Sequence, residues 1–437
     1  MTIEKKLPGP LKREDPAKQK DLFDKRGNIY KAVDFLNEHY TIHIPAHDPA
    51  KLTIECRDSG RYSEPPTFDD IYLHFVEECE TNISETILRK IIRSRNYIKP
   101  FNPIQTYIDS LRGKYAGRSH IDLLCSFLKC REFNPEKTDY SQERANRMIR
   151  KWMISTVAQW LDNIPNETML TFVQAGEGYG KTSLCNYFIP APLKDYSTIA
   201  SKNENRFDLE DAYTRHPFII HDELVGINKG SIETWKAVMS NSELNTRRRG
   251  EEFAIKRKRI ASALGTSNRT QEKGGFLAEN FGYRRFGCIE LEDIYWEEYI
   301  QAVDVDQMWA EALMLYESSG FQWKFDREDF FEFETFNSRY LIETNATRCA
   351  HLYLAHPVRE EEGAWMNPTE IITDLRKRGI LRGERLFSVS VRELGISLTN
   401  LGYQSKKTRT CTAEGFTSDP MIPLQRYFVK RTYINSI

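Results

Sequence analysis

The feature that most constrains this chain is a glycine-rich segment between an apolar strand pattern and an apolar helix pattern. Residues 173–184 read VQAGEGYGKTSL. Glycines permit backbone conformations in which several N–H groups point at one anion, and the N-terminus of a following helix adds positive potential. A lysine and a threonine at its end suit phosphate and Mg²⁺. The segment predicts a loop that binds ATP with Mg²⁺ through Gly176, Glu177, Gly178, Tyr179, Gly180, Lys181, Thr182 and Ser183.

One position departs from the usual spacing of such a loop. Most of these loops have glycine at position 175, where this chain has Ala175. Alanine fits there if its φ is negative, so we expect the loop to keep its function. The alternative is a glycine-rich turn at a strand-to-helix junction of another fold. The strand before the segment, the Gly-Lys-Thr at its end and the helix after it favour a phosphate-binding loop.

A second apolar strand pattern, PFIIHDEL at residues 217–224, ends in two carboxylates. Buried parallel strands have such continuous apolar sequences. Carboxylates at the strand end suit a metal-bound water and a hydrolytic water. We predict that Asp222 binds Mg²⁺ and that Glu223 is the base that orients the attacking water. Alone this would be a common strand end, but together with the glycine-rich loop it is typical of an ATPase.

Two further polar sites follow along the chain. Residues 259–268, RIASALGTSN, predict a strand that ends in Asn268, whose amide could hold the same water and sense the γ-phosphate. A turn-forming Ser-Asn pair is the alternative. In the sequence GYRRF, either Arg284 or Arg285 could reach phosphates bound to a neighbouring subunit, as an arginine finger does. A surface pair of arginines is the alternative, and spacing alone does not exclude it.

Composition excludes several other classes of protein. The formal net charge of −1 over 437 residues gives no overall attraction to nucleic acid. No apolar stretch is long enough to cross a bilayer, and the N-terminus lacks the apolar run of a signal peptide. We therefore expect a cytoplasmic protein with no membrane partner. The eight cysteines form no CxxC pair, which predicts neither disulfides nor a structural metal.

The secondary-structure pattern divides the chain into five parts. Residues 1–98 begin with a polar tail and form an N-terminal region of unknown role, and residues 99–164 are mostly helical. Strands alternate with helices over residues 165–300, which predicts an α/β fold with a parallel sheet. Residues 301–360 are again helical. Residues 361–437 show two helices followed by a basic hairpin, which predicts a winged-helix-like domain that contacts DNA or protein.

The order of these motifs resembles the virulence-associated protein E-like family of superfamily 3 helicases, which are AAA+ ATPases of mobile genetic elements. The resemblance covers roughly residues 100–300 and depends on NPIQTYIDSL, GEGYGKTS, FIIHDEL, WKAVMS, GTSN and FLAENFGYRRF. It implies an AAA+ P-loop core with a helical N-terminal region, a hexameric ring and ATP-driven movement along DNA.

The resemblance also implies a role for each matching residue. Lys181 and Thr182 would bind phosphate and Mg²⁺, Asp222 and Glu223 would serve hydrolysis, and Asn268 would be the first sensor. Arg284 and Arg285 would supply the arginine finger and a second sensor, in an order that the sequence leaves open.

A basic segment precedes the sensor strand. Residues 247–259, RRRGEEFAIKRKR, hold seven basic and two acidic residues, a local charge of +5, and the pattern over residues 244–259 predicts a β-hairpin. In superfamily 3 rings a hairpin at this place lines the central channel and contacts the DNA backbone. A solvated charged loop is the alternative, and about half of a hairpin's side chains point the other way. The residues predicted to contact DNA are Arg247, Arg248, Arg249, Lys256, Arg257 and Lys258.

From the sequence we therefore expect an ATP-dependent DNA helicase or replication protein of a mobile element. It would form a homo-oligomer, expected to be a hexamer, with ATP hydrolysed between subunits and single-stranded or forked DNA as its partner. Two alternatives remain. One is an ATP-switched assembly or defence protein that does not unwind DNA, and the other is an initiator that binds a specific origin sequence. Stimulation of ATP turnover by DNA would favour the motor, and a footprint would reveal the initiator.

Overall fold

Secondary structure is described for most of the chain in the computed structural model. The described ranges are 16–79, 83–133, 140–176, 178–200, 206–224, 232–248, 251–270, 273–277, 285–318, 322–342, 344–357, 359–377, 389–408 and 424–431. They fall into two units: the first takes in the described residues within 1–224, 230–268 and 284–334, and the second those within 269–283 and 335–437. The five-part division expected from the sequence remains a prediction. Within these ranges, no helix has the length and apolarity to cross a membrane.

The N-terminal part of the first unit has an apolar core of its own. Its elements are α1 Pro16–His39, β1 Tyr40–His43, β2 Thr53–Cys56, α2 Phe68–Glu78 and α3 Glu85–Ile92. Helix α1 begins inside the segment that the sequence predicts to be a polar tail. Strands β1 and β2 pair antiparallel, and Thr67 and Asp70 form a capping box that starts α2. The core includes Phe35, Leu36, Ile71, Phe75 and Leu88.

Three helices and a short strand come next, and then strands alternate with helices. The first group is α4 Pro103–Leu111, α5 His120–Ser126, β3 Leu128–Cys130 and α6 Tyr140–Asp162. The second group is β4 Met169–Val173, α7 Lys181–Tyr187, α8 Ala191–Lys194, β5 Thr198–Ile199, α9 Arg206–Arg215, β6 Phe218–His221, α10 Ile232–Ser240, β7 Glu243–Thr246, β8 Ile255–Lys258, β9 Ser262–Ser267 and β10 Phe286–Ile294. It is followed by α11 Trp296–Ala302, α12 Val305–Glu317 and α13 Arg327–Asn337.

A six-stranded sheet lies at the centre of the first unit, in the order β3-β10-β4-β9-β6-β5. The sequence predicts a parallel sheet, and the pairs β10–β4, β4–β9, β9–β6 and β6–β5 are parallel. The prediction is incomplete, because β3 from the preceding helical part joins β10 antiparallel and makes the sheet mixed. Strand β3 has only three residues, which is too short for a recognisable strand pattern.

Helix α6 is buried along most of its length against the sheet and α12. The rings of Trp152 and Trp309 lie 6.4 Å apart, and those of Trp160 and Trp309 lie 5.4 Å apart. Each indole N–H has a backbone acceptor, since Trp152 donates to the Thr168 carbonyl and Trp309 to the Phe188 carbonyl. This aromatic layer packs α6 and α12 against one face of the sheet. The polar side chains described below lie instead at the edge where the parallel strands end.

The second unit combines helices with a small antiparallel sheet. Its further elements are α14 Asn345–Tyr353, β11 Leu354–Ala355, β12 Ala364–Met366, α15 Pro368–Lys377, α16 Val391–Asn400, β13 Ser405–Thr408 and β14 Leu424–Arg431. Strand β14 pairs with β11, β12 and β13. The predicted capped helix is confirmed, because Asn367 and Glu370 each accept a hydrogen bond from the other's backbone N–H. The assignment of a winged-helix-like domain stays a prediction.

Candidate functional site

Three parallel strands bring the predicted site residues to one edge of the central sheet. In the register, Val173 of β4 lies beside Ser267 of β9, and His221 of β6 lies beside Gly265 of β9. The residues that follow these strands therefore leave the sheet at the same edge. Open parallel sheets bind ligands at this edge.

The glycine-rich loop leaves β4 and enters α7. Gly176, Gly178 and Gly180 have φ angles of 144°, 82° and 85°, which L side chains rarely adopt. A Cβ atom on Gly176 would lie 2.3 Å from Cε2 of the exposed Tyr179 ring, which would have to move, so the φ angle is the main reason for glycine there. Ala175 is not among the described non-glycine residues with positive φ, which is the condition under which alanine fits at this position.

The Lys181 side chain folds back onto the loop. It is 8% exposed, and its ammonium donates to the Gly176 carbonyl at 2.7 Å and to the Gln174 carbonyl at 3.4 Å. As the first residue of α7, it is held beside the helix N-terminus. The arrangement places a cation and the positive end of a helix in the same cradle, which suits an anion.

The Asp222 carboxylate is held by two hydroxyl groups from different elements. Thr182 of α7 donates to Asp222 Oδ1 at 2.7 Å, and Thr266 of β9 donates to the same oxygen at 2.7 Å. Thr266 Oγ1 also accepts a hydrogen bond of 2.9 Å from the backbone N–H of Glu223. Thr266 thus joins the two predicted acidic residues, and it is a site residue that the sequence analysis missed.

Glu223 has an unusual backbone conformation. Its φ is 50°, and a left-handed conformation costs a non-glycine residue roughly 1–2 kcal/mol. The Thr266 side chain holds the Glu223 N–H, and the Thr266 carbonyl accepts from the N–H of Leu224 at 2.8 Å. Two hydrogen bonds, donated by the N–H groups of Glu223 and Leu224 to Thr266, therefore stabilise the turn. Such strained positions concentrate at functional sites.

The loop and the strand ends surround a cleft of about 280 Å³. Its lining is Gly176, Gly178, Tyr179, Gly180, Lys181, Thr182, Ser183, Asp222, Glu223, Thr266 and Asn268. All of these except Thr266 are predicted from the sequence, and Glu177 and Arg284 lie outside the described residues. Carboxylate and hydroxyl oxygens are ligands that Mg²⁺ prefers, and the lysine and loop amides suit phosphate.

The residue before Asp222 is a buried histidine. Burial lowers the pKa of the His221 imidazole to about 3, so the ring is neutral near pH 7. Its Nε2 lies 3.1 Å from the Tyr213 hydroxyl, and its ring meets Trp235 edge-on at 4.4 Å. His221 therefore anchors the end of β6 without adding charge to the cleft.

Arg285 lies away from the cleft of its own chain. It is 8% exposed and donates from Nη2 to the Ser240 hydroxyl at 2.9 Å. It directly precedes β10, where Phe286 pairs with Met169 at the start of β4. The loop follows the other end of β4, roughly 13 Å along the strand at 3.3 Å per residue. The structure therefore places Arg285 at the opposite edge of the sheet.

The basic segment forms the predicted hairpin, because β7 and β8 pair antiparallel. Lys256 and Lys258 lie opposite Asn245 and Glu243 and are exposed. Arg257 lies opposite buried Leu244, on the other face of the hairpin. The prediction that a hairpin points about half of its side chains the other way is confirmed by this register.

Two arginines of this segment, Arg248 and Arg257, form ion pairs with carboxylates of the same chain. Arg257 donates to the Thr246 carbonyl at 2.9 Å and forms an ion pair with Glu251. Arg248 pairs with Asp211 at 2.9 Å. Arg247 is exposed and donates to the Glu251 carbonyl at 3.1 Å, and Arg249 lies outside the described residues. Lys256 forms an ion pair with Glu243 at 2.5 Å but stays exposed. The described residues predicted to contact DNA thus divide by exposure into an exposed group (Arg247, Lys256 and Lys258) and a half-buried group (Arg248 and Arg257).

Comparison with known proteins gives one family and several distant structures. The family described as the virulence-associated protein E-like domain matches residues 113–341, which is 229 of the 437 residues. No curated protein matches. The apo C-terminal region of NrS-1 is similar at 9% identity and a TM-score of 0.41, covering 91% of this chain and 98% of that one. The JCV helicase is similar at 13% identity and a TM-score of 0.29, covering 74% and 90%.

Proposed function

This chain belongs to the virulence-associated protein E-like family, and we propose that it is an AAA+ ATPase of the superfamily 3 helicase type that uses ATP to move along DNA. The observation that carries the proposal is the contact between Thr182, Asp222 and Thr266 in one cleft with Lys181. In P-loop proteins a Ser or Thr at the end of the loop and a strand-end Asp together hold nucleotide-bound Mg²⁺, and in this chain the corresponding side chains already lie within hydrogen-bond distance.

We assign nucleotide binding to the loop and the first turn of α7. Lys181 would exchange its two carbonyl acceptors for phosphate oxygens, since its ammonium already lies in the cradle. Thr182 and Asp222 would hold Mg²⁺, which supplies charge neutralisation to the phosphates when bound. Phosphate and Mg²⁺ would be stronger partners for Lys181, Thr182 and Asp222 than their present ones, so we expect nucleotide binding to stabilise the loop.

Glu223 would orient the attacking water, as the sequence predicts. The left-handed turn and the hydrogen bond from its N–H to Thr266 fix the backbone from which the carboxylate projects. Asn268 lines the same cleft and would hold the other side of that water. A positioned base of this kind contributes typically 10²–10⁴-fold to a rate.

The position of Arg285 supports a site that is shared between subunits. Arg285 lies at the opposite edge of the sheet from the loop of its own chain, so it would serve phosphates only in a neighbouring copy. Because the side chain is 8% exposed and bonded to Ser240, it would have to leave that contact when the subunits assemble. A ring, which we propose to be a hexamer, would bring that edge of one subunit against the cleft of the next. Arg284 is the other candidate for this role.

A mixing experiment tests the shared site. Lys181→Ala removes the cradle cation from one cleft, and Arg285→Ala removes the arginine that serves the adjacent cleft. We expect each variant alone to lose about 1,000-fold in ATP turnover, the scale of an arginine finger. Mixed in equal amounts, the variants should regain a measurable fraction, because some interfaces combine two intact halves. Normal turnover by folded Arg285→Ala would contradict its role, and circular dichroism would verify folding.

The exposed part of the hairpin would contact DNA. Lys256, Lys258 and Arg247 supply charge for phosphates, and the tip between the strands adds Phe253, which is 74% exposed. An exposed aromatic ring on a hairpin that also carries exposed lysines suits stacking on unpaired bases. We therefore propose single-stranded DNA as the strand that the hairpin holds. If DNA fails to stimulate ATP turnover and no strands are displaced, the protein is better described as an ATP-switched assembly or defence protein than as a DNA motor.

A further inference from the structure

The N-terminal part of the first unit contains a cluster of metal-ligating side chains far along the chain from the cleft residues. His39 is the last residue of α1, and His74 and Glu78 lie one turn apart near the end of α2. One donor atom from each of the three lies within 4.8 Å of the others. His39 Nε2 is 3.1 Å from Glu78 Oε2, and His74 Nε2 is 2.9 Å from Glu78 Oε1. Both imidazoles therefore direct the same ring nitrogen at one carboxylate.

The other nitrogen of each ring faces an oxygen atom. His74 Nδ1 is 2.7 Å from the hydroxyl of buried Tyr40, and His39 Nδ1 is 2.9 Å from Asp58 Oδ2. Metal-binding histidines usually donate their second ring N–H to an oxygen acceptor of this kind, which fixes the tautomer and the ring orientation. With Nδ1 protonated on each ring, both Nε2 lone pairs point toward Glu78.

We propose that His39, His74 and Glu78 bind one divalent ion of the zinc type. Two imidazole nitrogens and one carboxylate form a recognised ligand set for zinc, in which water completes the fourth position. Tetrahedral bonds of about 2.0–2.1 Å put ligand atoms roughly 3.4 Å apart. The two nitrogen–oxygen distances of 2.9 and 3.1 Å, each to a different oxygen of Glu78, are within a few tenths of an ångström of that spacing. All three donors lie within 4.8 Å of one another, so the set would contract around an ion.

The burial of the ligands also fits such a site. The His74 side chain is 0% exposed, His39 is 16% exposed and Glu78 is 43% exposed. The histidines therefore lie in the protein while the carboxylate faces solvent, which gives an ion an entry path and a place for water. Arg61 also faces this carboxylate, since its Nη1 lies 3.9 Å from Glu78 Oε1, while its Nη2 pairs more closely with Glu77 at 2.5 Å.

The competing interpretation is a network of ion pairs without metal, in which a proton on each ring nitrogen bridges the histidines to Glu78 and Asp58. The two interpretations differ in whether the Nε2 atoms carry protons or bind an ion. The cysteine spacing led the sequence analysis to predict no structural metal, whereas this site uses no cysteine. The bound ion would join the end of α1 to the end of α2 beside the core of this region.

Zinc binding to the full chain tests the proposal. Protein stripped with a chelator would be titrated with Zn²⁺ in the presence of excess Mg²⁺, which saturates the proposed nucleotide site. Bound metal would be counted by mass spectrometry after desalting. We expect one equivalent of zinc on the wild type, and loss of that equivalent in the double variant His39→Gln/Glu78→Gln. Both substituted side chains are partly exposed, so the variant should fold, which circular dichroism would verify.

Two further variants separate metal binding from general effects. Glu77→Gln changes the adjacent exposed carboxylate and should keep the equivalent. Tyr40→Phe removes the acceptor for His74 Nδ1 and should weaken zinc binding by about 10- to 100-fold. Co²⁺ in place of zinc should give visible absorption bands that the double variant lacks. Equal zinc content in wild type and double variant would overturn the proposal. The result does not depend on ATP or DNA, so it stands apart from the proposed function.

Discussion

The sequence predicts both the cleft at the sheet edge and the basic hairpin from groups of polar or charged residues. The structure brings the residues of the cleft together, but it separates those of the hairpin. In the cleft, Thr182 of α7 and Thr266 of β9 both donate a hydrogen bond to Asp222, which directly follows β6. In the hairpin, the five described basic residues of one segment differ in exposure: some face solvent and others are half-buried beside internal partners. Lys258 is exposed, whereas Arg257 is paired with Glu251.

This difference follows from how each site is built. Parallel strands end at a common edge, so polar residues that follow different strands must converge. A hairpin alternates its side chains between two faces, so neighbouring charges along the chain separate in space. A motif at a strand end therefore predicts which residues form a site more accurately than the number of charged residues in a segment does. The cleft should govern catalysis, and only the exposed face of the hairpin should govern DNA affinity.

The largest expected effect separates catalysis from binding within the cleft. Glu223→Gln keeps the shape of the side chain but removes the carboxylate that we propose as the base, so we expect ATP turnover to fall by about 100-fold or more. ATP affinity should stay within about threefold of the wild type, because the loop and Lys181 are untouched. Single-turnover kinetics would measure the rate of ATP hydrolysis, and the fluorescence of a labelled nucleotide would measure the affinity. Glu252→Gln, an exposed carboxylate on the hairpin, is the matched control, and equal turnover in both variants would contradict the assignment.

A smaller effect is expected at Thr266, which only positions Asp222 and the Glu223 backbone. Thr266→Val keeps the volume but removes both hydrogen bonds of the hydroxyl. We expect kcat to fall about 10-fold, roughly the rate equivalent of one hydrogen bond to a charged group, with KM changed less than kcat. Thr171→Val makes the same change on β4, where the hydroxyl donates to the Met169 carbonyl at 3.3 Å. Thr266 would lose its positioning role if both variants had the same kcat.

The smallest effects are expected in the hairpin, where substitutions should distinguish residues that contact DNA from residues that stabilise the fold. Lys258→Ala should weaken single-stranded DNA binding a few-fold and reduce the salt dependence by about 0.7 in log–log slope, the value for one phosphate contact. Arg257→Ala should leave that slope unchanged and lower the melting temperature instead, because its partners are Glu251 and Thr246. Fluorescence anisotropy over a salt series and thermal melts would measure both. A change of slope in Arg257→Ala with none in Lys258→Ala would reverse the division.

Much of the fold and nearly the whole lining of the cleft could be predicted from local sequence. The apolar runs before Gln174 and Asp222 predict β4 and β6, and their parallel pairing requires the common edge. The family was also predicted correctly from the order of the motifs. These predictions were possible because a buried strand, a glycine turn and a strand-end carboxylate each produce a recognisable pattern within about ten residues.

Features that depend on distant pairing could not be predicted in this way. Thr266 acts because β9 lies between β4 and β6, and nothing in GTSN distinguishes its hydroxyl from that of Ser267. Strand β3 joins the sheet through β10, which lies more than 150 residues further along the chain. The His39 and His74 rings lie 4.8 Å apart although 35 residues separate them. Only the three-dimensional structure supplies such neighbours.

The central claim is that the cleft uses ATP to move the protein along DNA. The most direct measurement is strand displacement on forked DNA by the wild type and Lys181→Ala, with Lys194→Ala as an exposed lysine control in the same unit. We predict ATP-dependent displacement by the wild type and the control, and none by Lys181→Ala, which should still bind the fork with unchanged affinity. Wild-type protein that hydrolyses ATP but displaces no strand, or Lys181→Ala that displaces as well as the wild type, would contradict the claim.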